Sequence, residues 1–279
     1  MSDNTINNSL QNPHADEKQE IIQLFLVNVK GKAICLDNQN KKHCGKEGHL
    51  LETLMGIKHN SKNEPDIHGY EMKKSSTKTT LGDFSASEYA FSKKNKRTSI
   101  NKYNNWTDEN TKLERSDFIK LFGNPNPFKN NSKNNRYSWS GSCVPNYNKW
   151  NTNGQILTIN ENNDIVIYYS YSNDMRSIKE VFPSFLKNDI IIIALWKSEK
   201  MKQHIEKKFN QKGFFLCKKI GATYEKISFG KPFTFEYFIE CIKNNKIIFD
   251  SGMYDGNPRN YSQFRGKQSF WEELITEEY

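Results

Sequence analysis

Cysteine is scarce in this chain of 279 residues, and long hydrophobic runs are missing from it. The five cysteines are odd in number and lie far apart, at Cys35, Cys44, Cys143, Cys217 and Cys241. This scatter indicates reduced thiols rather than a disulfide framework. No stretch approaches the ~18 apolar residues of a membrane-spanning helix, and residues 1–20 lack the basic and apolar regions of a signal peptide. We therefore expect a cytoplasmic protein with no membrane partner.

Apolar residues are also few, at 35% of the chain with a mean hydropathy of −0.85, so polar loops must be abundant. Aromatic residues nonetheless make up 13%, which argues against a disordered chain. The formal net charge is +9, with an isoelectric point near 9.1. This balance favours a polyanionic partner, although a solvated basic surface is the alternative explanation.

The order of predicted elements is typical of the α/β (α+β) class. One segment has an apolar stripe at helical spacing, formed by Leu50, Leu51, Leu54 and Met55. An isoleucine-rich run at 189–196 predicts a buried strand. Two segments rich in asparagine, proline and glycine, at 121–150 and 252–266, interrupt this order, and such long loops are usually functional or disordered. We predict a flexible tail at 1–18 and one elaborated domain at 19–279.

Three chemically useful side chains, Asp66, Glu71 and Lys73, lie within eight residues of one another. In a strand, Glu71 and Lys73 project from the same face. Asp66 is five positions from Glu71, so in one straight strand its side chain would project from the opposite face. Gly69 supplies the bend or bulge that could bring both carboxylates together. Two converging carboxylates suit Mg²⁺, and a neighbouring lysine could align or deprotonate a water and neutralise developing charge. Ordinary alternation on a half-exposed strand is the competing interpretation.

The surrounding sequence has GHLLE at 48–52, then PD at 65–66 and EMK at 71–73, in that order. These motifs resemble those of the MutH-like branch of the PD-(D/E)XK nucleases. The short gap between the aspartate and the glutamate is similar to that of the MvaI/BcnI-type Type II restriction endonucleases and departs from the longer gap of MutH. The resemblance covers about residues 45–76.

This resemblance implies a nuclease core with a mixed central sheet flanked by helices and long DNA-binding loops. It places Glu52 with Asp66 and Glu71 as metal ligands, and makes these three residues and Lys73 the catalytic set. It implies Mg²⁺ as cofactor, with Mn²⁺ as a substitute, 5′-phosphate products and double-stranded DNA as partner. It also implies a monomer, with a dimer as the alternative, in a prokaryotic cytoplasm.

Candidates for DNA contact follow from the chemistry of phosphates and base edges. Basic side chains bind phosphates, arginine suits guanine, and asparagine suits adenine. The candidates are Lys74, Lys94, Arg97, Arg136, Tyr137, Asn257, Arg259, Asn260, Tyr261 and Arg265. If the domain has two lobes, we expect a catalytic lobe at about 19–120 with part of the C-terminal half. The recognition loops are then those at about 121–150 and 252–266.

Three functions remain open from the sequence. The first is a Type II restriction endonuclease that cleaves a short specific site with Mg²⁺. The second is a MutH-like repair endonuclease that nicks one strand. The third is a non-catalytic DNA-binding protein on a nuclease scaffold.

Overall fold

The structure is a computed structural model that describes residues 13–33, 46–58, 62–91, 98–106, 113–125, 136–187 and 190–279. The helices of this part are α1 (Pro13–Asn28), α2 (Lys46–Leu54), α3 (Ser99–Tyr103), α4 (Arg115–Phe122), α5 (Ser198–Phe209), α6 (Phe235–Lys243) and α7 (Gln268–Leu274). Single 3₁₀ turns occupy Gly141–Cys143, Ser177–Val181 and Ser184–Leu186. None of these helices is long and apolar enough to cross a membrane.

Fourteen strands are present in the described residues. They are β1 (Glu71–Lys74), β2 (Lys78–Asp83), β3 (Glu88–Tyr89), β4 (Asn124–Pro125), β5 (Tyr137–Trp139), β6 (Asn153–Ile159), β7 (Ile165–Asp174), β8 (Ile190–Trp196), β9 (Phe214–Ile220), β10 (Thr223–Gly230), β11 (Ile247–Asp250), β12 (Met253–Tyr254), β13 (Gln263–Lys267) and β14 (Ile275–Glu278).

The chain divides into two compact units. The first comprises Met1–Ser75, Lys207–Pro232 and Leu274–Tyr279, and the second comprises Ser76–Glu206 and Phe233–Glu273. Residues 76–120, which the sequence analysis grouped with a catalytic lobe, thus lie in the second unit. Both predicted recognition loops lie in that unit as well.

The first unit is built on one mixed sheet with the strand order β1-β9-β10-β14. β1 runs parallel to β9, whereas β9 with β10 and β10 with β14 are antiparallel. Helices α1 and α2 contribute Phe25 and Leu51 to a buried cluster that includes Met72 on β1 and Phe215 on β9. The predicted mixed sheet with flanking helices is therefore confirmed.

Helix α1 has one buried face. Its apolar residues are compatible in sequence with a helix or with a strand, and in the structure Ile21, Ile22, Phe25 and Val29 line one helical face. The helix begins at Pro13, so residues 13–18 are helical where the sequence analysis predicted part of a flexible tail.

The second unit holds three smaller sheets, with the strand orders β3-β8-β7-β6, β11-β13-β2 and β12-β5-β4. Strand β8 is the buried strand that the isoleucine-rich run predicts, and it pairs with β7 and with β3. The β12-β5-β4 sheet is a short ribbon that joins the two predicted recognition loops, because β5 comes from the first loop and β12 from the second.

Candidate active site

A tight hairpin turn brings Asp66 and Glu71 together. Ile67 and Tyr70 exchange backbone hydrogen bonds of 3.1 and 2.8 Å across the two-residue turn of His68 and Gly69. Both turn residues have positive φ, at 48° and 80°, as tight hairpin turns require. The predicted bend is thus a complete hairpin turn. Asp66 and Glu71 lie on its two facing arms, so the alternation of side chains along one straight strand does not separate them.

Strand β1 presents its side chains to two different environments. Met72 is buried in the cluster with α1 and α2, so Glu71 and Lys73 project from the opposite face. The backbone N–H of Met72 donates to Asp66 Oδ2 at 2.9 Å, and the backbone N–H of Glu71 donates to the Gly213 carbonyl at 3.0 Å. These bonds hold the aspartate beside the strand that carries the glutamate and the lysine.

Two lysines converge on the same oxygen of Glu71. Lys73 Nζ donates to Glu71 Oε1, and Lys208 Nζ lies 3.0 Å from the same atom. Lys208 comes from the last turn of α5, which is 137 residues further along the chain than Glu71. Lys208 is not among the residues that the sequence predicts for the site. No local motif marks this residue. Its neighbour Lys207 carries the same charge, so the sequence alone does not distinguish the two lysines.

Burial and like charge determine the electrostatics of this group. Burial, with the nearby Glu71 carboxylate, raises the pKa of Asp66 to about 6. Burial lowers the pKa of Lys208, and the charge of Lys73 lowers it further. Burial also opposes the charged form of Lys73, but the carboxylates of Glu71 and Asp66 outweigh it and raise the pKa of Lys73.

Glu52, the predicted third acid, lies on α2 and lines the same cavity of about 200 Å³ as Asp66, Glu71, Lys73 and Lys208. Its Oε2 is 3.6 Å from His49 Nδ1. His49, Lys58 and Lys62 also line the cavity. The structure therefore brings the four predicted catalytic residues to one cavity and surrounds them with cations.

The oxygen atoms of Asp66 and Glu71 have the chemistry of ligands for a divalent metal ion. Glu71 Oε2 is buried and has no hydrogen-bond partner among the described residues, and burial together with the Glu71 carboxylate raises the pKa of Asp66. Both observations fit a hard cation with oxygen ligands. Across the described residues, no three His, Cys, Asp or Glu side chains are grouped closely enough to hold a metal together. Asp66 and Glu71 thus fit a metal as a pair, and Glu52 as third ligand stays a prediction.

Lys74, predicted to contact DNA, lies on the opposite face of β1 from Glu71 and Lys73. Its Nζ is 2.6 Å from Glu47 Oε2 on α2. Lys94 and Arg97, the next two candidates, lie outside the described residues.

The other DNA candidates gather around the β12-β5-β4 ribbon of the second unit. The Arg136 guanidinium stacks 4.1 Å from the centre of the Tyr254 ring, and the Tyr137 carbonyl accepts a 2.9 Å bond from Asp255 N–H. Asn257 Nδ2 donates to Tyr254 Oη at 2.8 Å. The structure therefore joins residues of the two predicted loops, which lie more than 100 positions apart in the sequence.

An arginine that the sequence analysis missed holds the later loop. Arg115, at the start of α4, donates from Nε to Asn260 Oδ1 at 2.7 Å and from Nη2 to the Arg259 carbonyl at 2.7 Å. Arg259 in turn stacks on Tyr261, with its Nη1 3.3 Å from Tyr261 Oη. Asn260 Oδ1 therefore already accepts a hydrogen bond from within the protein.

Arg265 lies on β13 rather than in an open loop. Its Nη2 donates to Gln263 Oε1 at 2.6 Å, and its Nε is 2.8 Å from Asp250 Oδ2. Both partners of this guanidinium belong to the β11-β13-β2 sheet or to its strand ends, so the side chain is already paired within the fold.

Comparison with known proteins relates this chain to restriction endonucleases. A family model described as LlaMI restriction endonuclease matches residues 29–279. The Type II restriction enzyme ScrFI of Lactococcus lactis subsp. cremoris is 43% identical over 276 residues, which cover 93% of this chain and 97% of ScrFI. The solved complex of restriction endonuclease MvaI with its cognate DNA substrate matches with a TM-score of 0.50 at 15% identity. That match covers 97% of this chain and 99% of the MvaI chain, and it supports the fold alone.

These matches confirm the predicted PD-(D/E)XK fold and the predicted Type II restriction endonuclease, an enzyme that hydrolyses DNA. Type II restriction endonucleases generally use divalent metal ions. Membership of the MutH-like branch stays a prediction. The family model and the ScrFI match together span most of the sequence. This chain therefore belongs to the LlaMI restriction endonuclease family.

Proposed function

We propose that the chain cleaves double-stranded DNA at a short specific site, with Mg²⁺ as cofactor and 5′-phosphates as products, in the cytoplasm of a prokaryotic cell. The observation that carries this proposal is the buried Asp66–Glu71 pair with two lysines on one of its oxygens. A buried carboxylate pair is costly unless its charge is compensated, so its presence in a cavity indicates a site for cations and phosphate.

Asp66 and Glu71 would hold the metal ion, with Glu52 as a third carboxylate at the same cavity. When bound, such an ion polarises a phosphoryl oxygen and lowers the pKa of a coordinated water. The proposed roles of the protein groups are electrostatic. Lys73 and Lys208 offset the negative charge that builds up on the phosphate, and Lys73 orients the attacking water.

DNA contacts by Lys74, Lys94, Arg97, Arg136, Tyr137, Asn257, Arg259, Asn260, Tyr261 and Arg265 belong to the same proposal. The restriction enzymes that match this chain and the MvaI–DNA complex support a DNA partner. The β12-β5-β4 ribbon supports the grouping of several of these residues. We propose a monomer as the acting species, with a dimer as the alternative.

The test is digestion of a sequenced supercoiled plasmid with Mg²⁺, with Mn²⁺ and with a chelator, followed by mapping of the fragment ends. We expect linear products with 5′-phosphates and no cleavage with chelator. Asp66→Ala and Lys73→Ala should abolish cleavage, by at least about 10³-fold, while duplex binding survives.

Glu64→Ala is the matched control, because Glu64 lies two residues before Asp66 but is paired with Lys207 at 2.9 Å outside the cavity. It should cut at the wild-type rate. Cleavage by Asp66→Ala at the wild-type rate would contradict the site assignment, and a strand-specific nick that never becomes linear would favour the repair nickase.

A further inference from the structure

We propose that Arg136 reads the N7 and O6 atoms of a guanine in the cleavage site and that Tyr254 positions it. This inference rests on the proposed function, because it names which base atoms the enzyme recognises and which side chain recognises them.

The first observation is that the Arg136 guanidinium carries N–H donors that no described residue accepts from. Its Nε is buried and has no hydrogen-bond partner among the described residues, and no hydrogen bond or ion pair of its guanidinium to a described residue is present. A guanidinium carries five N–H donors and is always charged, so leaving it unpaired in a folded protein is costly. Arg115, Arg176, Arg259 and Arg265 all hydrogen-bond to other residues of the second unit.

The second observation is that the position of this guanidinium is nevertheless defined. It stacks at 4.1 Å on the ring of Tyr254, and the Tyr254 hydroxyl accepts a 2.8 Å hydrogen bond from Asn257 Nδ2. Strand pairing also fixes the backbone near both residues. Tyr254 on β12 pairs with Ser138 on β5, and Ser138 is two residues after Arg136. An aromatic ring that covers one face of a guanidinium leaves the in-plane N–H donors of its two Nη atoms available.

These two observations fit one class of ligand. A planar fork of donors that is ordered before binding matches the pair of acceptors N7 and O6 on the major-groove edge of guanine. A phosphate would also accept from the fork, but a phosphate contact does not depend on which base is present. If cleavage depends on the N7 atom of one guanine, the ligand of Arg136 is that base and not a phosphate.

The test uses synthetic duplexes that contain the cleavage site mapped from the plasmid digest. Each guanine of the site is replaced in turn by 7-deazaguanine, which lacks the N7 acceptor but keeps the Watson–Crick edge. For the wild-type enzyme we expect kcat/KM to fall about tenfold or more at one guanine. For Arg136→Met, which keeps an apolar stem on Tyr254 but has no donor, the same replacement should change kcat/KM less than twofold.

Tyr254 is tested as a positioning residue by two substitutions. Tyr254→Phe keeps the ring and should keep the sensitivity to N7 removal, whereas Tyr254→Leu removes the ring and should reduce that sensitivity. Arg259→Lys, at the other arginine–tyrosine stack, should keep the sensitivity at the guanine assigned to Arg136. Thermal unfolding by circular dichroism shows whether each variant is folded.

The outcomes are separable. If no guanine of the site is sensitive to N7 removal, or if Arg136→Met retains the full sensitivity, the inference is overturned while the proposed function stands. If the wild-type enzyme cuts no DNA at all, the proposed function itself fails and the inference fails with it.

Discussion

At the scale of single residues, the most consequential feature is the asymmetry of Glu71. One of its oxygens receives two lysines, whereas the other is buried with no hydrogen-bond partner among the described residues. A carboxylate that served only the stability of the fold would be expected to have both oxygens satisfied. The side chain that carries this unpaired oxygen lines the cavity of about 200 Å³, which agrees with the metal-binding role that we propose.

The two adjacent lysines at the end of α5 allow a matched test of this asymmetry. Lys208→Met removes the cation on Glu71, so we expect the cleavage rate to fall by about 10- to 100-fold. Lys207→Met removes the same charge one residue away, where the lysine is 57% exposed and pairs with Glu64. We expect its rate to stay within about twofold of wild type, since surface ion pairs contribute little.

Single-turnover cleavage with saturating enzyme is the measurement for both variants, because it reports the chemical step rather than product release. Equal losses in the two variants would mean that Lys208 acts only through the overall charge of the protein.

At the scale of elements, the hairpin turn between Asp66 and Glu71 sets the distance between the two acids. Gly69 has a φ of 80°, and a Cβ at this position would lie 3.3 Å from Gln211 Oε1. Gly69→Ala should therefore lower the free energy of unfolding by roughly 1–2 kcal/mol and should also lower the cleavage rate.

His68→Gly is the comparison variant, because glycine adopts the positive φ of this position without cost. Its unfolding free energy should stay within about 0.5 kcal/mol of wild type even though the 3.0 Å contact with the exposed Glu20 is lost. Urea unfolding and plasmid cleavage measure the two effects. Full activity of Gly69→Ala would show that the turn geometry is not what aligns the acids.

Helix α2 is tied to the sheet of the first unit by one carboxylate. Glu47 bonds to Lys219 and to Lys74, and it accepts a 3.0 Å bond from Tyr224 Oη. Burial opposes the charged form of Glu47, but these hydrogen bonds outweigh it and lower its pKa to about 2. Since α2 also carries Glu52, this network holds one wall of the cavity that Glu52 lines with Asp66 and Glu71.

The lowered pKa predicts a pH dependence of stability. Glu47 is protonated more easily in the unfolded chain, with a pKa near 4.5, so its contribution is complete above that pH and is lost as the pH falls towards about 2. The free energy of unfolding of wild type should thus fall more steeply between pH 5 and pH 2 than that of Glu47→Gln. At pH 7 the variant should be less stable by about 1–2 kcal/mol. Parallel pH profiles in urea would contradict this role.

At the scale of the whole molecule, the positive charge predicts how DNA binding responds to salt. The formal net charge is +9, and each phosphate neutralised by a protein cation releases counterions. Binding of a non-specific duplex should therefore weaken by about 10³-fold or more between 50 and 200 mM salt, if at least six phosphates are contacted. Fluorescence anisotropy across this range measures the slope, and a flat response would show that the basic residues do not face DNA.

The sequence predicted which residues lie together where they are close in the chain, and it missed residues that come from distant segments. Asp66, Glu71 and Lys73 could be identified because one turn and one strand bring them together. The face of a strand from which a side chain projects follows directly from its spacing in the sequence. Lys208 could not, because its approach to Glu71 depends on the end of α5 and not on any nearby motif. Arg115 was missed for the same reason, since its partners lie about 145 positions further along the chain.

The two predicted recognition loops also contain a contact between distant segments that the sequence does not predict. Their asparagine and proline content predicted irregular backbone, but the short strands β5 and β12 pair across more than 100 residues. Strands of two or three residues carry almost no periodicity, so composition alone could not place them.

The parallel pairing of β1 with β9 has a consequence for how the enzyme is made. The ribosome finishes β1 at Lys74, yet the neighbouring strand begins only at Phe214 and the last strand of the same sheet ends at Glu278. Contacts of such long sequence separation form late. A chain released early in translation therefore has the Asp66–Glu71–Lys73 motif without its supporting strand and without Lys208. Aborted translation products of this nuclease should accordingly be harmless to the chromosome of the cell that makes them.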